Sequence, residues 1–223
     1  CFDISLKILK EKKGYALING PISKKHFLAG KFKGITEYLS HETKSSQNEV
    51  MLIFNENLSV CPLTTHIALK NVHKKISSKM IIKKLNIINK FYIDRFNKRP
   101  KIAVTGLNPH CESNFNNSEE DKFIKPAIKI AKKKKLDVSG PFPADTLFIK
   151  KNVKKYDVIV GMYHDQVLTP IKTLYNFDAI NITLGLPFIR ISPDHGPNNQ
   201  MLGLKQSDPT SLKKAIIFLQ KNK

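Results

Sequence analysis

The sequence is poor in the residues that build disulfide-rich or membrane-spanning proteins. Its 223 residues include three cysteines, Cys1, Cys61 and Cys111. Three scattered cysteines are too few for a disulfide framework or a zinc ribbon, so we expect a reducing compartment. No apolar run approaches the roughly 20 residues that span a bilayer, and the first residues lack the basic-then-apolar layout of a secretory signal. The sequence therefore predicts a cytoplasmic protein with no membrane partner.

Three common nucleotide-binding and catalytic motifs are also missing. The chain has no GxGxxG after a predicted strand and no GxxxxGK[ST], which excludes a Rossmann fingerprint and a P-loop. It has no GxSxG either, which argues against the nucleophile elbow of the α/β-hydrolases. Any nucleotide chemistry must therefore depend on other residues.

Acidic residues are scarce: the chain has 38 Lys and Arg against 18 Asp and Glu, for a net charge of +20. Only three of the basic residues are arginines, Arg95, Arg99 and Arg190. Proteins that read nucleic acids favour arginine and usually concentrate their charge in one stripe. The lysines instead occur in most segments alongside Ile and Asn, a pattern typical of a genome-wide compositional drift. We therefore do not expect nucleic acid as a partner.

The rest of the composition is that of a globular protein, with 41% hydrophobic and 25% charged residues. Predicted strands alternate with predicted helices, which favours an α/β fold with a largely parallel sheet and helices on both faces. We place a domain boundary near residue 100, between a first domain at 1–100 and a second at 101–223. The predicted strands are 15–19, 50–54, 58–63, 101–107, 136–139, 156–161 and 179–184. The predicted helices are 3–13, 76–96, 119–134 and 209–221, and another begins near residue 144.

Three histidines occupy similar places in this pattern. His66, His110 and His164 each follow a predicted strand by a few residues. Ligands of open α/β sheets bind beyond the carboxyl ends of the strands, so three imidazoles delivered there can converge. Three imidazoles can hold a divalent metal and leave positions open for a substrate. The alternative is that each histidine is a capping residue or a hydrogen-bonded core residue.

A second group of residues suits an anionic ligand. Lys172, Asn181 and Arg190 offer a point charge, an amide and a planar guanidinium, a suitable set for a phosphate and a carboxylate. In so lysine-rich a chain, Lys172 can equally be a surface residue. Arg190 lies in an apolar stretch and needs a buried acidic partner or a ligand. Asp145 follows a proline-rich turn and is either a site residue or the N-cap of a helix.

Five ordered motifs carry a resemblance to a known family. They are GLNPH, GPFPADTLF, MYHDQ, NITLGLPFIR and SPDHG. Together they resemble the 4-hydroxythreonine-4-phosphate dehydrogenase (PdxA) family, from about residue 14 to the C-terminus. The resemblance implies a fold similar to isocitrate and isopropylmalate dehydrogenases, with two α/β/α domains and the active site in the cleft between them. Enzymes of this kind bind NAD or NADP without a Rossmann fingerprint.

The resemblance also assigns roles to individual residues. It implies one divalent metal (Zn, Mg, Co or Mn) per active site, and a homodimer that shares each metal site between its subunits. The implied metal ligands are His66, His110 and His164. The implied substrate-binding residues are Thr36, Lys172, Asn181 and Arg190. The residues expected to carry the chemistry are His66, His110, His164, Asp145 and Lys172.

The implied reaction is the NAD(P)-dependent oxidation of 4-phosphooxy-L-threonine in pyridoxal 5'-phosphate biosynthesis. Its product, 2-amino-3-oxo-4-phosphooxybutanoate, loses CO2 to give 3-amino-2-oxopropyl phosphate. In the mechanism that the resemblance implies, a bound metal would acidify the substrate hydroxyl and then polarise the ketone. Lys172 and Arg190 fix the anionic ends of the substrate and so align it for hydride transfer.

Two departures from the family pattern leave other functions open. The family usually has His before the Thr of its GHTE motif, whereas this chain has Ile35, which cannot hydrogen-bond a phosphate. The N-terminal third of the family, with its glycine-rich segment, is absent, and the chain begins at Cys1 as a fragment would. One alternative is therefore a sister dehydrogenase acting on a four-carbon sugar-acid 4-phosphate. Another is a non-catalytic remnant, although retention of all three histidines speaks against it.

Overall fold

The computed structural model describes residues 1–22, 31–32, 34–45, 49–111, 117–197, 199–204 and 206–221. Within these ranges none of the helices is both long and apolar enough to cross a bilayer. The strands are β1 (Ala16–Ile18), β2 (Val50–Phe54), β3 (Ser59–Thr64), β4 (Ile102–Thr105), β5 (Val138–Phe142), β6 (Val158–Tyr163), β7 (Ile180–Leu184) and β8 (Ile189–Pro193). The α-helices are α1 (Phe2–Lys10), α2 (Ile35–Glu42), α3 (Val72–Lys75), α4 (Ser78–Phe96), α5 (Lys125–Lys133), α6 (Ala144–Leu147), α7 (Lys150–Val153), α8 (His164–Tyr175) and α9 (Thr210–Lys221). Short 3-10 helices lie at Leu69–Asn71, Pro109–Cys111 and Asn199–Met201, and a π-helical turn lies at Glu120–Ile124.

The chain divides into two compact units. Unit 1 comprises Cys1–Ile53 and Tyr175–Lys223, and unit 2 comprises Phe54–Leu174. This division differs from the boundary that we expected near residue 100. That boundary would separate β3 from β6, which pair in parallel register. The difference arises because the C-terminal segment returns to pair with β1, a long-range contact that local sequence patterns do not reveal.

Unit 1 contains β1, β8, β7 and β2, in that order. The pairing of β1 with β8 is parallel and that of β7 with β8 is antiparallel. An antiparallel pair can be joined by a short connection, and here four residues suffice, beginning with Gly185 in the left-handed region at φ 85°. The largely parallel sheet that we expected thus has an antiparallel pair in this unit. Its hydrophobic core includes Leu6, Ile35 and Leu39.

Unit 2 contains β3, β6, β4 and β5, in that order, all paired in parallel. Parallel strands covered on both faces read as continuous apolar runs, and β3 and β4 are buried along their whole length. Helix α4 buries a stripe at helical spacing, which includes Ile81, Leu85 and Ile88. Its N-cap is Ser77, whose hydroxyl accepts a hydrogen bond from the N–H of Met80 at 3.3 Å.

The expected α/β class is confirmed, and each predicted strand and helix corresponds to an element of the structure. Among the described residues, four α-helices and one strand went unpredicted: α2, α3, α7, α8 and β8. Helix α8 begins at His164 and contains Pro170, a residue that ordinarily breaks a helical pattern. Three of these elements carry candidate site residues: α2 carries Thr36, α8 carries His164 and Lys172, and β8 carries Arg190.

Candidate active site

Two of the three histidines lie side by side beyond adjacent strands of unit 2. His66 follows the end of β3 by two residues, and His164 directly follows the end of β6. These strands are parallel neighbours, with Thr64 paired to Tyr163 at their carboxyl ends. The centroids of the two imidazole rings are 6.2 Å apart. A metal–imidazole bond is about 2.1 Å long, so this separation is of the order expected for two rings that bind one ion.

The backbone is strained at two of the predicted ligands. His66 has φ 28° and His110 has φ 59°, both in the left-handed region that residues other than glycine rarely adopt. Cys111, next to His110, also has a positive φ of 56°. Such strain costs on the order of 1–3 kcal/mol per residue and is concentrated at functional sites. These two turns therefore present their side chains from an uncommon backbone conformation.

The imidazole of His164 is oriented by a carboxylate. Its Nδ1 lies 2.7 Å from Oδ1 of Asp165. A carboxylate only accepts, so Nδ1 of His164 donates, and the neutral ring then carries its lone pair on Nε2. Histidines that bind metals commonly donate their second nitrogen in this way. The contact with Asp165 therefore prepares Nε2 of His164 as a ligand.

A buried carboxylate holds the turn that leads to His110. Oε1 of Glu120 accepts from the backbone N–H of Leu107 at 2.7 Å and of Asn108 at 2.8 Å. Its Oε2 accepts from the side-chain amide of Asn108, also at 2.8 Å. Burial opposes the charged form, but these bonds outweigh it and hold the pKa of Glu120 below its usual range. In the sequence, Glu120 is one of two acidic residues before a predicted helix. No sequence pattern indicates that its side chain turns inward to bind the backbone before His110.

Asp145 and Lys172 also belong to unit 2. Asp145 is the second residue of α6, whose N-cap is Pro143, so the alternative of an N-cap aspartate is wrong. Burial raises the pKa of the Cys111 thiol, and a backbone hydrogen bond at Gly106 lowers it. The negative charges of Glu120 and Asp145 raise this pKa further. The carboxylate of Asp145 therefore lies near the residue that follows His110. Lys172 is partly exposed on α8, two helical turns after His164.

The donor set fits a metal in part. Among the side chains that the structure describes, no group of three or more His, Cys, Asp or Glu residues is arranged to hold an ion. His66 and His164 nevertheless lie close enough to share one, and imidazole is a suitable donor for borderline divalent metals. The structure thus brings two of the three predicted ligands together, and it does not complete the set with His110.

Unit 1 carries a buried polar group built around Arg190. This side chain is only 4% exposed. Its Nε donates to Oδ1 of Asn19 at 2.8 Å, and its Nη1 donates to the hydroxyl of Thr183 at 3.0 Å. Burial lowers the pKa of Arg190 to about 10, although the charge of Glu37 acts in the opposite direction. The guanidinium therefore stays charged at neutral pH, and the acidic residue that acts on it, Glu37, is half-buried.

Asn181 lies two residues before Thr183 on β7, so both side chains are on the same face of the sheet. Thr183 pairs directly with Arg190, which places the guanidinium on that face as well. Oδ1 of Asn181 is buried without a hydrogen-bond donor among the described atoms. Such an orphaned acceptor is costly unless a ligand supplies the donor. Arg190 and Asn181 together thus offer a guanidinium and an amide acceptor on one face.

Thr36 and Ile35 begin helix α2 in the same unit. Thr36 is partly exposed. Ile35 is 8% exposed and packs in a hydrophobic cluster with Leu6 and Leu39. The isoleucine at the usual histidine position is therefore a core residue in this chain, and burial of its apolar surface is its structural role.

Comparison with known proteins supports the resemblance in the sequence. Residues 1–219 match the sequence model of a family described as "Pyridoxal phosphate biosynthetic protein PdxA". A 4-hydroxythreonine-4-phosphate dehydrogenase from Sulfurihydrogenibium sp. (strain YO3AOP1) is 41% identical over 95% of this chain and 66% of its own length. One from Xanthobacter autotrophicus (strain ATCC BAA-1158 / Py2) is 36% identical over 96% of this chain and 63% of its own length. The chain therefore spans slightly less than two thirds of these curated relatives.

Solved structures give the same result for the fold. The crystal structure of a 4-hydroxythreonine-4-phosphate dehydrogenase from Klebsiella pneumoniae has a TM-score of 0.80 at 33% identity, over 96% of this chain and 66% of that one. An isocitrate dehydrogenase from Methylococcus capsulatus has a TM-score of 0.60 at 12% identity, over 98% of this chain and 70% of that one. The second likeness concerns the fold alone, and it confirms the expected isocitrate dehydrogenase-like class. On the family match and these similarities, the chain belongs to the PdxA family.

Proposed function

We propose that the protein catalyses the NAD(P)-dependent, divalent-metal-dependent oxidation of 4-phosphooxy-L-threonine in pyridoxal 5'-phosphate biosynthesis. The product is 2-amino-3-oxo-4-phosphooxybutanoate, which loses CO2 to give 3-amino-2-oxopropyl phosphate. The observation that carries the proposal is the proximity of His66 and His164 beyond the ends of β3 and β6. The centroids of their imidazole rings are 6.2 Å apart. Relatives that bear the name 4-hydroxythreonine-4-phosphate dehydrogenase support it.

His66, His110 and His164 are the proposed metal ligands. When bound, a divalent ion would supply Lewis acidity at the substrate hydroxyl and at the ketone that follows. Imidazole donors suit Zn²⁺ and Co²⁺ better than Mg²⁺, which prefers oxygen ligands. The chain contributes orientation, because Asp165 fixes the ring of His164 and Glu120 fixes the turn before His110.

We further propose that the working protein is a homodimer in which each metal site is shared between subunits. The described part of one chain does not bring three such ligands together. A second copy can supply a missing imidazole without any change in the turns of the first. A shared site thus explains why His66, His110 and His164 are exposed or partly exposed beyond strand ends. It also explains why they do not form a three-ligand metal site within the described part of one chain.

The proposed substrate-binding residues are Lys172 in unit 2 and Thr36, Asn181 and Arg190 in unit 1. Arg190 is pre-oriented by Asn19 and Thr183, so little side-chain freedom is lost when it meets a carboxylate or phosphate. The orphaned Oδ1 of Asn181 needs a donor, which the ammonium or hydroxyl of the substrate can provide. Asp145 is also proposed as a residue of the site, because its carboxylate lies near the residue that follows His110.

Ile35 favours one alternative function, a sister dehydrogenase acting on a four-carbon sugar-acid 4-phosphate. The side chain of Ile35 is buried in the core cluster, so the polar contact that a histidine would make is absent at this position. A site that lacks one polar contact discriminates differently among substrates. Turnover of the two substrates under identical conditions separates the two activities.

The test is the formation of reduced nicotinamide with 4-phosphooxy-L-threonine and either NAD or NADP, before and after chelation and return of Zn²⁺, Co²⁺, Mn²⁺ or Mg²⁺. We expect turnover that chelation abolishes, that metal restores and that His164→Ala removes. His73→Ala is the control, because His73 is an exposed residue of α3 outside the site. Turnover that survives both chelation and His164→Ala would contradict the metal-dependent mechanism.

A further inference from the structure

One peptide group in the turn after β4 is held at both of its ends by side chains. The carbonyl oxygen of Gly106 accepts a hydrogen bond of 2.8 Å from Nε2 of Gln166. The N–H of Leu107, the other end of the same peptide group, donates a bond of 2.7 Å to Oε1 of Glu120. A peptide group is planar and rotates as a unit. Bonds at its two ends therefore oppose any rotation of this turn, which leads to His110.

Gln166 reaches this peptide group from helix α8, two residues after His164. Its Oε1 accepts from the hydroxyl of Thr105 at 2.9 Å and from a backbone N–H of β6 at 2.7 Å. With Nε2 bonded to Gly106, the side-chain amide makes three hydrogen bonds. Strands β4 and β6 are parallel neighbours, so this amide joins their carboxyl ends. It thereby fixes the turn that leads to His110 relative to the turn that presents His164.

Glu120 holds the same turn from the opposite end of the peptide group. Its buried carboxylate accepts from two successive backbone N–H groups, those of Leu107 and Asn108. Hydrogen bonds to an ionised acceptor are about twice as strong as neutral ones. The carboxylate of Glu120 therefore holds the N–H groups of Leu107 and Asn108 more strongly than a neutral side chain of the same shape would.

The space around both side chains is filled, so the arrangement has little freedom to shift. A Cβ at Gly106 would lie 2.6 Å from Sγ of Cys111 and 3.0 Å from Oε1 of Glu120. A Cβ at Gly161 would lie 3.1 Å from Oε1 of Gln166 and would overlap the side chain of Val167. A side chain at either position would therefore force its neighbours to shift, and these neighbours include Glu120 and Gln166.

We infer that Gln166 and Glu120 are positioning residues that hold the His110 turn by clamping the Gly106–Leu107 peptide group. Their role in metal binding rests on the proposed function, because it requires that His110 is a ligand. The described contacts of both side chains are to other groups of the protein, so these residues act on a metal only through His110. Outer partners of this kind typically change metal affinity by about 10–100-fold when they are removed.

The clamp itself is tested in the metal-free protein by amide hydrogen exchange measured with NMR. Gln166→Met keeps the length of the side chain and removes its three hydrogen bonds. We expect the amides of Leu107 and Asn108 to exchange about tenfold faster or more, because loss of these bonds favours local opening. The amide of Thr43, in unit 1 and bonded to Leu39, is the internal reference. Unchanged exchange at Leu107 and Asn108 would overturn the inference.

Two further variants keep the exchange test decisive. If Gln166→Met does not fold, Thr105→Val replaces it in the test. Thr105→Val removes one of the three hydrogen bonds of Gln166 and preserves the shape of the threonine side chain. The exchange of the Leu107 and Asn108 amides should then accelerate, but less than in Gln166→Met. Gln220→Glu, on the exposed side of α9, is the matched control and should leave the exchange rates unchanged. Equal acceleration in Gln220→Glu would overturn the assignment to Gln166.

The consequence for the site is tested with Co²⁺ alone, by calorimetry and by the visible absorption of the bound ion. We expect Gln166→Met and Glu120→Gln each to weaken Co²⁺ binding by about 10–100-fold and to alter the absorption bands. The double variant should cost less than the product of the two effects, because both residues hold one peptide group. Full affinity and an unaltered spectrum in a variant with accelerated exchange would overturn the positioning role. A wild-type protein that binds no Co²⁺ would overturn the proposed function and this role with it, whereas the exchange data separately decide the clamp.

Discussion

The two units of the chain build their polar sites in opposite ways. In unit 2, His66 and His110 are exposed on turns beyond the strands, with left-handed backbone conformations. In unit 1, Arg190 lies within strand β8 and is buried, with its hydrogen bonds supplied by Asn19 and Thr183. The cost of the site is therefore conformational in unit 2, where it falls on the backbone of a turn. In unit 1 the cost is electrostatic, since a guanidinium is removed from water.

This difference determines how each site should respond to substitution. A strained, exposed turn residue can be replaced without opening a core, so its loss should affect ligand binding more than stability. A buried guanidinium is hydrogen-bonded to the residues around it, so its loss should affect both ligand binding and stability. The predictions that follow exploit this contrast, starting with the largest expected effect.

Arg190→Met should lower the free energy of unfolding by about 3–5 kcal/mol. The substitution leaves the charge of Glu37 without its buried counterpart and removes the donors that face Asn19 and Thr183. Urea unfolding followed by circular dichroism measures the change. Arg99→Met, at an exposed position, should change stability by about 0.5 kcal/mol or less. Equal unfolding midpoints for the two variants would remove the contrast between the units.

Glu120→Gln should lower the free energy of unfolding at neutral pH by about 1–3 kcal/mol and flatten its dependence on acid pH. Burial alone would raise the pKa of Glu120, but its hydrogen bonds hold that pKa below its usual range. Because the folded-state pKa is depressed, the contribution of Glu120 is present above its unfolded-state pKa and is lost as the pH falls through its folded-state pKa. Unfolding measured between neutral and acid pH tests this. Glu11→Gln, in a surface pair with Lys13, should leave the profile unchanged, and a matching loss there would contradict the account.

His110→Gly should leave the free energy of unfolding unchanged or raise it by up to about 1 kcal/mol, because glycine relieves the left-handed strain at φ 59°. The same substitution at His73, inside helix α3, should lower stability by about 1 kcal/mol. Thermal unfolding of the metal-free proteins compares them. A clear destabilisation by His110→Gly would show that its backbone is not strained in the way the geometry indicates.

Asp145→Asn should have the smallest effect, a modest fall in the pKa of the Cys111 thiol. Burial raises that pKa first, and the charge of Asp145 adds to it after that of Glu120. The rate of thiol alkylation against pH reports the change, in a Cys1→Ser background because Cys1 is exposed. An identical profile in the variant would contradict the placement of Asp145 near the His110 turn.

The sequence predicted those parts of the fold that depend on local patterns. Buried parallel strands such as β6 read as apolar runs, and α4 shows an apolar stripe at helical spacing between a serine cap and an asparagine in the left-handed region. The rule that parallel strands end at one edge of a sheet placed three histidines there. The rings of His66 and His164 lie together, whereas His110 does not complete a group of three among the described residues.

The remaining features depend on contacts that are distant in the sequence. Strand β8 returns from the C-terminus to pair with β1, so a boundary placed at residue 100 could not describe the two units. Helix α8 was hidden by Pro170. The roles of Glu120 and Gln166 depend on which way a polar side chain points, and neither composition nor spacing encodes that direction.

Calorimetric titration of the wild-type protein with Zn²⁺ and Co²⁺, beside His66→Ala, His164→Ala and His73→Ala, tests the central claim most directly. The account predicts that the wild-type protein and His73→Ala bind the metal equally well. It predicts a loss of about 100-fold or more in affinity for His66→Ala and for His164→Ala, since each removes a ligand. Equal affinity in all four proteins would show that the paired imidazoles of unit 2 do not hold the metal, and would contradict the proposed site.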